Sequence, residues 1–271
     1  MNEEIIKHIN YLKSLNRKGL TNFFLQPEEL TEMLAKGHCH YALGDSFFVL
    51  QKVEESFVRV FFYTISVEAL NEIKNHVLLY GSGLPRVIDI VGKKPEIDDL
   101  QEKLCGVGFI QYRKLLRMSM KNSKRYAVGT TIIEYAIKDD TAAIYDFLYN
   151  QFDPLVSQLP SKDDLIDSIK KKEIYLAKHD KEIIGLSYFQ MQGKGVSYLF
   201  QIAVKKEYRG QGIADDLLVC HFNNSKLNMY YRLWVEDDNL RAINKYKKYG
   251  FENDGLIDYV MLYMEDVDGK N

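Results

Sequence analysis

The stretch Arg209-Gly-Gln-Gly-Ile-Ala214 decides the fold of the second half of the chain. It follows a run, Ser197–Val204, that is apolar on both faces, and it leads into a helical pattern over residues 213–225. A strand that is apolar on both faces is covered above and below, so it belongs in the middle of a sheet. The stretch is therefore predicted to be a loop between a buried central strand and a helix.

The composition of this loop is typical of an anion site. Gly210 and Gly212 carry no side chains, so a ligand can approach the backbone closely. The first N–H groups of the following helix have no helical acceptor and lie at the positive end of the helix dipole. A diphosphate fits such a place, and the guanidinium of Arg209 can clamp it. The alternative from the residues alone is a glycine-softened loop that binds nothing.

The central strand itself is expected to present its side chains alternately. Its residues divide into Tyr198, Phe200, Ile202 and Val204 on one side, and Leu199 and Ala203 on the other.

A second motif follows about thirty residues after Arg209. Asn239, Ala242, Tyr246, Gly250 and Phe251 form the pattern N-x-x-A-x-x-x-Y-x-x-x-G-F, on a helix that comes after another strand. Together with R-x-x-G-x-A, this order of strand, loop, helix, strand and helix resembles the GCN5-related N-acetyltransferase (GNAT) superfamily. The resemblance covers about residues 126–267.

The resemblance implies an acyl-CoA donor, acetyl-CoA first of all, and a set of contacts to it. The pyrophosphate lies on the loop, the pantetheine arm runs along the central strand like an extra strand, and an N–H near Ile202 holds the thioester oxygen. The implied cofactor-binding residues are Ile202, Ala203, Val204, Arg209, Gly210, Gln211, Gly212, Ile213, Ala214 and Asn239.

Tyr246 is the implied catalytic residue, facing the sulfur. A phenol with a pKa of about 10 stays protonated at neutral pH and can donate to a developing thiolate. The alternative is a core role, because Ala242, Ile243, Tyr246 and Tyr249 form an apolar helical stripe.

The general base is not identified. Many GNAT proteins carry a glutamate on the central strand, whereas this chain has Gln201, which cannot accept a proton at neutral pH. The acids of residues 236–238 could act as the base or attract a cationic amine, or they could cap the following helix; a water chain is another route. Lys205 and Lys206 could meet the nucleotide phosphates or simply be solvated.

The whole chain reads as two globular domains. Its 271 residues exceed one average domain of about 150. A net charge of -2 excludes the basic footprint of a general nucleic-acid binder. Three scattered cysteines fit a reducing compartment, and neither a signal peptide nor a stretch of about 18 apolar residues is found. We therefore expect a cytoplasmic protein without membrane contact.

Two histidine-containing segments are not predicted to form sites. No metal is expected, because His38, Cys39 and His40 alternate across a strand without further ligands nearby. His221 is expected to pack rather than to act in catalysis, since it lies one turn after Leu217.

The two halves show a weak internal duplication. Each ends in a helix closed by Gly-Phe, at Gly108-Phe109 and Gly250-Phe251, followed by a methionine-containing strand. We predict an α+β fold, with a mixed, mostly antiparallel central sheet flanked by helices, as two GNAT-like domains in tandem over 1–122 and 126–271. Two unrelated α+β domains remain the alternative.

The first half lacks the cofactor loop. Its meander strand Phe57–Thr64 leads to the helix over 67–79 through Ile65-Ser66 alone. We therefore expect it to bind no cofactor, and to shape the acceptor pocket or replace a second subunit.

The predicted function is an acyl-CoA-dependent N-acyltransferase acting on a small-molecule or peptide amine. A non-catalytic acyl-CoA sensor is the alternative favoured by Gln201, and an interaction protein with a vestigial loop is another. The sequence leaves open the acceptor, the acyl-chain length and the choice between monomer and homodimer.

Overall fold

The computed structural model describes residues 2–35, 39–79, 83–122, 124–193, 195–226 and 229–264. The chain forms two compact units. Unit 1 contains the residues up to Leu115 together with those from Gly255 onward, and unit 2 spans Leu116–Asp254.

Unit 1 begins with two helices and a meander of three strands. Its elements are α1 Asn2–Leu15, β1 Leu20–Thr21, α2 Pro27–Ala35, β2 Cys39–Leu43, β3 Phe47–Val53, β4 Val58–Thr64, α3 Ala69–Leu78, β5 Arg86–Gly92 and α4 Glu96–Gly106. Strand β6, Ile110–Asn122, begins in this unit and ends in unit 2.

Unit 2 begins with a strand and two helices, and from its three-stranded meander onward it repeats the order of unit 1. Its elements are β7 Ile133–Tyr135, α5 Thr141–Gln151, α6 Lys162–Lys170, β8 Ile174–His179, β9 Glu182–Gln192, β10 Val196–Val204, α7 Ile213–Asn224, β11 Met229–Glu236 and α8 Leu240–Tyr249. The last strand, β12 Glu252–Tyr263, begins in unit 2 and continues in unit 1. None of the helices in the described ranges is long and apolar enough to cross a membrane.

Both units are built on mostly antiparallel strands. The order is β2-β3-β4-β5-β12 in unit 1, with β1 added on β4, and β6-β11-β10-β9-β8-β7 in unit 2. The described pairings are antiparallel except for β4 with β5 and β10 with β11, which are parallel. The predicted mixed, mostly antiparallel α+β fold is confirmed.

In unit 2, helices cover both faces of the sheet. Ile144 of α5 and Leu165 of α6 pack on one face, in a cluster with Leu176 and Leu186. Leu217 and Phe222 of α7 and Ile243 of α8 belong to a separate cluster on the other face. The central strand is thus covered on both sides, as its double apolar pattern predicts.

The predicted alternation along β10 is wrong in its second half. A β-bulge lies between Leu199 and Gln201, where the register with β9 shifts. Because a bulge adds one residue to one strand, the side chains beyond it change faces. Ile202 and Val204 therefore pack in the same cluster as Leu199, whereas Phe200 and Ala203 pack in the other.

The compact units differ from the predicted domains at their borders. Residues on both sides of the predicted border pack in unit 2: Asn122 is buried, and the Arg125 guanidinium donates to the carbonyls of Phe222 and Ser225 at 2.8 and 2.7 Å. The last strand does not complete unit 2, since Ile257–Tyr263 of β12 pair with Gly92–Arg86 of β5 in unit 1. Pairing between strands far apart in sequence sets these borders.

Candidate cofactor-binding site in unit 2

The site begins where β10 and β11 diverge. Their parallel pairing runs from Val196 opposite Tyr230 to Leu199 opposite Leu233, and in the described structure it ends there. β10 nevertheless continues to Val204 in pairing with β9. One edge of β10, from the bulge to its end, is therefore left without a strand partner among the described residues.

This edge carries the polar backbone groups of Ile202 and Val204. The N–H of Lys205 points toward β9, because it donates to the Ile184 carbonyl at 2.8 Å. Backbone N–H and C=O groups alternate between the two edges of a strand, so those of Val204 and Ile202 point away from β9, to the open edge. Ile202 and Ala203 are half-buried and Val204 is buried. The edge can accept an extended ligand that supplies strand-like hydrogen bonds.

The glycine loop follows directly. Gly210 and Gly212 have φ values of +87° and +85°, in the left-handed region that favours glycine. No protein atom lies within 4 Å of a Cβ placed on either residue. Both glycines thus border open space, as a seat for a ligand requires.

The N–H groups of the loop are unpaired. In the described part of the chain, none of the residues from Gly210 to Ala214 donates its backbone N–H to an acceptor. The next N–H groups, those of Asp215 and Asp216, donate to the Gly212 carbonyl at 2.9 and 3.0 Å and start α7. Five consecutive donors at the positive end of a helix suit an anionic group, and a diphosphate fits them.

Arg209 is committed in part to the protein. Its Nε donates to the carbonyl of Val204 at 2.9 Å, which ties the loop to the end of β10. Its Nη2 lies 3.5 Å from Gln151 Oε1 at the end of α5, and the residue as a whole is exposed. The guanidinium therefore holds the loop in place and still presents a positive charge to solvent.

Asn239 and Tyr246 lie on α8. Asn239 caps this helix, because its Oδ1 accepts from the N–H of Ala242 at 3.1 Å, and it remains exposed. Tyr246 is 6% exposed, and its ring packs against that of Phe251 with the ring centroids 5.7 Å apart. Both residues thus have a structural role, and the roles that the resemblance implies for them stay predictions.

The Tyr246 hydroxyl makes no hydrogen bond in the described structure, and its oxygen is not completely enclosed by protein atoms. Its oxygen therefore keeps some contact with solvent. Burial raises the pKa of Tyr246 above its usual value, so the hydroxyl stays protonated at neutral pH.

Gln201 has a role that the sequence does not indicate. It is 2% exposed, and its Nε2 donates to the carbonyl of Gln158 at 3.1 Å, in the loop between α5 and α6. Its Oε1 is buried without a partner among the described residues. The side chain at the position of the missing glutamate therefore anchors a neighbouring loop.

The acids of residues 236–238 do not cap α8, because the side chain of Asn239 does so. Glu236 and Asp237 are half-buried, and Asp238 is exposed. Lys205 forms an ion pair with Glu182, and Lys206 is exposed. Of the two lysines, Lys206 is thus the one that is exposed.

The packed role predicted for His221 is confirmed. It is 7% exposed, stacks on Phe189 with ring centroids 3.6 Å apart, and its Nε2 lies 3.0 Å from Ser197 Oγ. Burial lowers its pKa to about 3.

His38 of the dismissed metal cluster lies outside the described residues, and the Sγ of Cys39 lies 3.6 Å from the Met33 carbonyl. Among the described residues, no group of three potential ligands could hold a metal ion.

The corresponding edge in unit 1 is filled by the chain itself. In the described structure β4 pairs with β5 at Val58 and Arg59 alone, and beyond them β1 pairs with Tyr63 and Thr64 of β4. Next to β1, the Asn22 carboxamide donates to the Val60 carbonyl and accepts from the Phe62 N–H, both at 2.8 Å. A side-chain amide here makes the hydrogen bonds of a strand.

The helix after this edge also has its first N–H groups occupied. The N–H of Ala69 donates to Ser66 Oγ at 3.3 Å, and those of Leu70 and Asn71 donate to Val67 and Glu68 at 3.0 and 3.1 Å. Unit 1 therefore presents different chemistry at the position where unit 2 has its glycine loop.

Residues 141–251 match the family model described as "Acetyltransferase (GNAT) family". The matched segment runs from the start of α5 to the residue after α8, so it contains the open strand edge, the glycine loop and the tyrosine. No curated protein matches the sequence.

Solved structures with the same fold cover nearly the whole chain. A GCN5-related N-acetyltransferase from Sphaerobacter thermophilus has a TM-score of 0.59 and 14% identity, over 89% of this chain and 86% of that one. A tandem GNAT protein from the clavulanic acid biosynthesis pathway has a TM-score of 0.59 and 9% identity, over 97% and 95%. The glucosamine N-acetyltransferase region of a fungal multi-domain GH3 β-N-acetylglucosaminidase has a TM-score of 0.67 and 10% identity, over 97% of this chain and 37% of that one.

Residues 141–251 thus resemble the GNAT family in sequence, and the chain shares its fold with solved GNAT structures, one of which is a tandem GNAT protein. The match to the acetyltransferase family model supports a transferase. Because these solved structures are only 9–14% identical in sequence, they show the fold and not the activity.

Proposed function

We propose that the chain is an acyl-CoA-dependent N-acyltransferase that moves an acetyl group from acetyl-CoA to a small-molecule or peptide amine. The observation that carries this proposal is the row of unpaired N–H groups from Gly210 to Ala214, next to the open edge of β10. A diphosphate and an extended amide-bearing arm are the two chemical features that such a pair of sites recognises.

The reaction is a direct transfer. The amine nitrogen attacks the thioester carbonyl carbon, an N–H near Ile202 stabilises the oxyanion, and the carbon–sulfur bond then breaks. The products are an amide and a free thiol. Tyr246 gives its proton to the departing sulfur, and the proton lost by the nitrogen restores it through water.

Two observations support Tyr246 as the acid. Its hydroxyl has no protein partner in the described structure, so it is available to a ligand. Burial raises its pKa, so at neutral pH the hydroxyl carries the proton that an acid must supply.

Unit 1 is proposed to hold no acyl-CoA. Its strand edge carries β1 and Asn22, and the first N–H groups of α3 already have acceptors. The unit instead serves the acceptor side of the reaction or replaces a second subunit.

A non-catalytic acyl-CoA sensor is the second candidate. Gln201 favours it, because its amide is bonded to Gln158 and cannot act as a base. Acetyl-CoA at about 100 times its Kd should stabilise the chain by about 2.7 kcal/mol in thermal unfolding, whether it is an enzyme or a sensor. Thiol release from acetyl-CoA in the presence of an amine panel separates the two, since the sensor binds and releases none.

A further inference from the structure

Helix α7 carries two carboxylates where the proposed site receives an anion. Asp215 and Asp216 lie in the first turn of α7, directly after the unpaired N–H groups. Acids at a helix N-terminus stabilise the helix itself, but they repel a ligand of the same charge. Asp216 is held by the segment before β7, as its Oδ2 accepts from the Thr131 N–H at 2.9 Å.

Both oxygens of Asp215 are held by α8. Lys245 forms an ion pair with Oδ2, and the Tyr249 hydroxyl donates to Oδ1 at 3.0 Å. The side chains of Lys245 and Asp215 are 27% and 40% exposed, so solvent screens their charges only in part. Burial and the bond to Asp215 raise the pKa of Tyr249, which keeps its phenol a donor.

The two helices joined in this way bear the two halves of the proposed site. α7 presents the anion-binding N–H groups, whereas α8 carries Asn239 and Tyr246. We infer that Lys245 is a positioning residue for acyl-CoA: it acts through Asp215, whose carboxylate it neutralises beside the diphosphate seat. This inference rests on the proposed function.

A double-mutant cycle on acetyl-CoA affinity tests it, because the two partners should have unequal effects. Lys245→Met leaves the Asp215 carboxylate uncompensated and should raise the Kd about three- to tenfold at low salt. Asp215→Asn removes that charge and keeps an oxygen for Tyr249, so the Kd should stay within about twofold or fall. The double variant should behave like Asp215→Asn.

The matched control is Lys248→Met, which removes a positive charge from an exposed position of the same helix and should leave the Kd unchanged. The Kd is measured by calorimetry on the full chain, at low and high salt, and thermal unfolding without ligand checks that each variant is folded. The Lys245→Met effect should shrink at high salt.

Three results contradict the inference. If the double variant binds as weakly as Lys245→Met, the lysine contacts the cofactor directly. If both single variants weaken binding equally, the pair is only a tether between helices, and if neither changes the Kd, it has no role in binding. If the wild-type chain does not bind acetyl-CoA, the proposed function fails first, and this inference with it.

Discussion

Gly212→Ala separates the conformational role of the loop from its proposed role in binding. The residue has a φ of +85°, and no protein atom lies within 4 Å of the added Cβ. The stability cost is therefore that of an L-residue in the left-handed region alone, about 1–2 kcal/mol, without a steric term.

The effect on affinity should be larger than this. The methyl group extends into the open space beside the unpaired N–H groups and displaces the diphosphate from them. Each lost charge-assisted hydrogen bond contributes roughly 1.5–3 kcal/mol, so the Kd for acetyl-CoA should rise by about ten- to over a hundredfold.

Gly193→Ala is the matched control. Gly193 has a φ of +63°, also borders open space and lies in the turn between β9 and β10. Both variants should lose similar stability in urea unfolding, and only Gly212→Ala should lose affinity in calorimetry. Equal, wild-type affinities would show that the diphosphate does not rest on this loop.

Three further substitutions have distinct expected outcomes. Tyr246→Phe should keep acetyl-CoA affinity and stability, since the hydroxyl makes no hydrogen bond in the described structure, but lower kcat by roughly 10²–10⁴; an unchanged kcat in a reaction limited by chemistry assigns Tyr246 to the core. Asn22→Ala leaves a buried C=O and a buried N–H of β4 unpaired, so it should lower the free energy of unfolding in urea by about 2–4 kcal/mol. The control Asn150→Ala, at an exposed position, should lower it little. Equal losses in the two variants would contradict the strand-like role of Asn22. His221 has a pKa of about 3 in the folded chain and about 6.5 in the unfolded chain, so the unfolded chain binds the proton more readily. The free energy of unfolding should therefore fall as the pH drops from about 6.5 toward 3, by up to about 1.4 kcal/mol per pH unit relative to His221→Gln. Parallel curves of stability against pH for the two proteins would contradict this.

The order of elements could be predicted from the sequence because each depends on a local pattern. The helix of residues 240–249 follows from its apolar stripe, and the glycine loop follows from its position between a buried strand and a helix. Ser161 and Asp164, three positions apart, form a capping box at the start of α6. These features depend on residues a few positions apart.

What could not be predicted depends on residues far apart in sequence. Arg86–Gly92 pair with a strand more than 160 residues later, and no local pattern specifies that partner. The bulge next to Gln201 reverses the faces of β10 without a glycine or proline to mark it. The borders of the units and the packing of Ile202 follow from these two features.

The position of the candidate loop could be predicted for the same reason, whereas the contacts around it could not. The loop from Arg209 to Ala214 is a contiguous motif, so its position in the structure agrees with the sequence. The contacts of Arg209 with Val204, of Gln201 with Gln158 and of Asp215 with Lys245 require the folded chain. An acid in the first turn of a helix and a lysine thirty residues later are ordinary in isolation, which is why the pair gives no signal in the sequence.

The two units differ at the strand edge that each leaves beside its parallel pair of strands. In each, a parallel pair of strands separates after a few residues and leaves an edge. Unit 1 fills its edge with β1 and Asn22, whereas no strand pairs with the edge of unit 2 in the described structure. On this account the tandem chain has one place for an acyl-CoA.

The number of acetyl-CoA molecules bound per chain tests this most directly. Calorimetric titration of the full-length protein should give a stoichiometry of one, with heat that disappears in Gly212→Ala at the same concentrations. Absence of binding, or two equivalent sites per chain, would contradict the account.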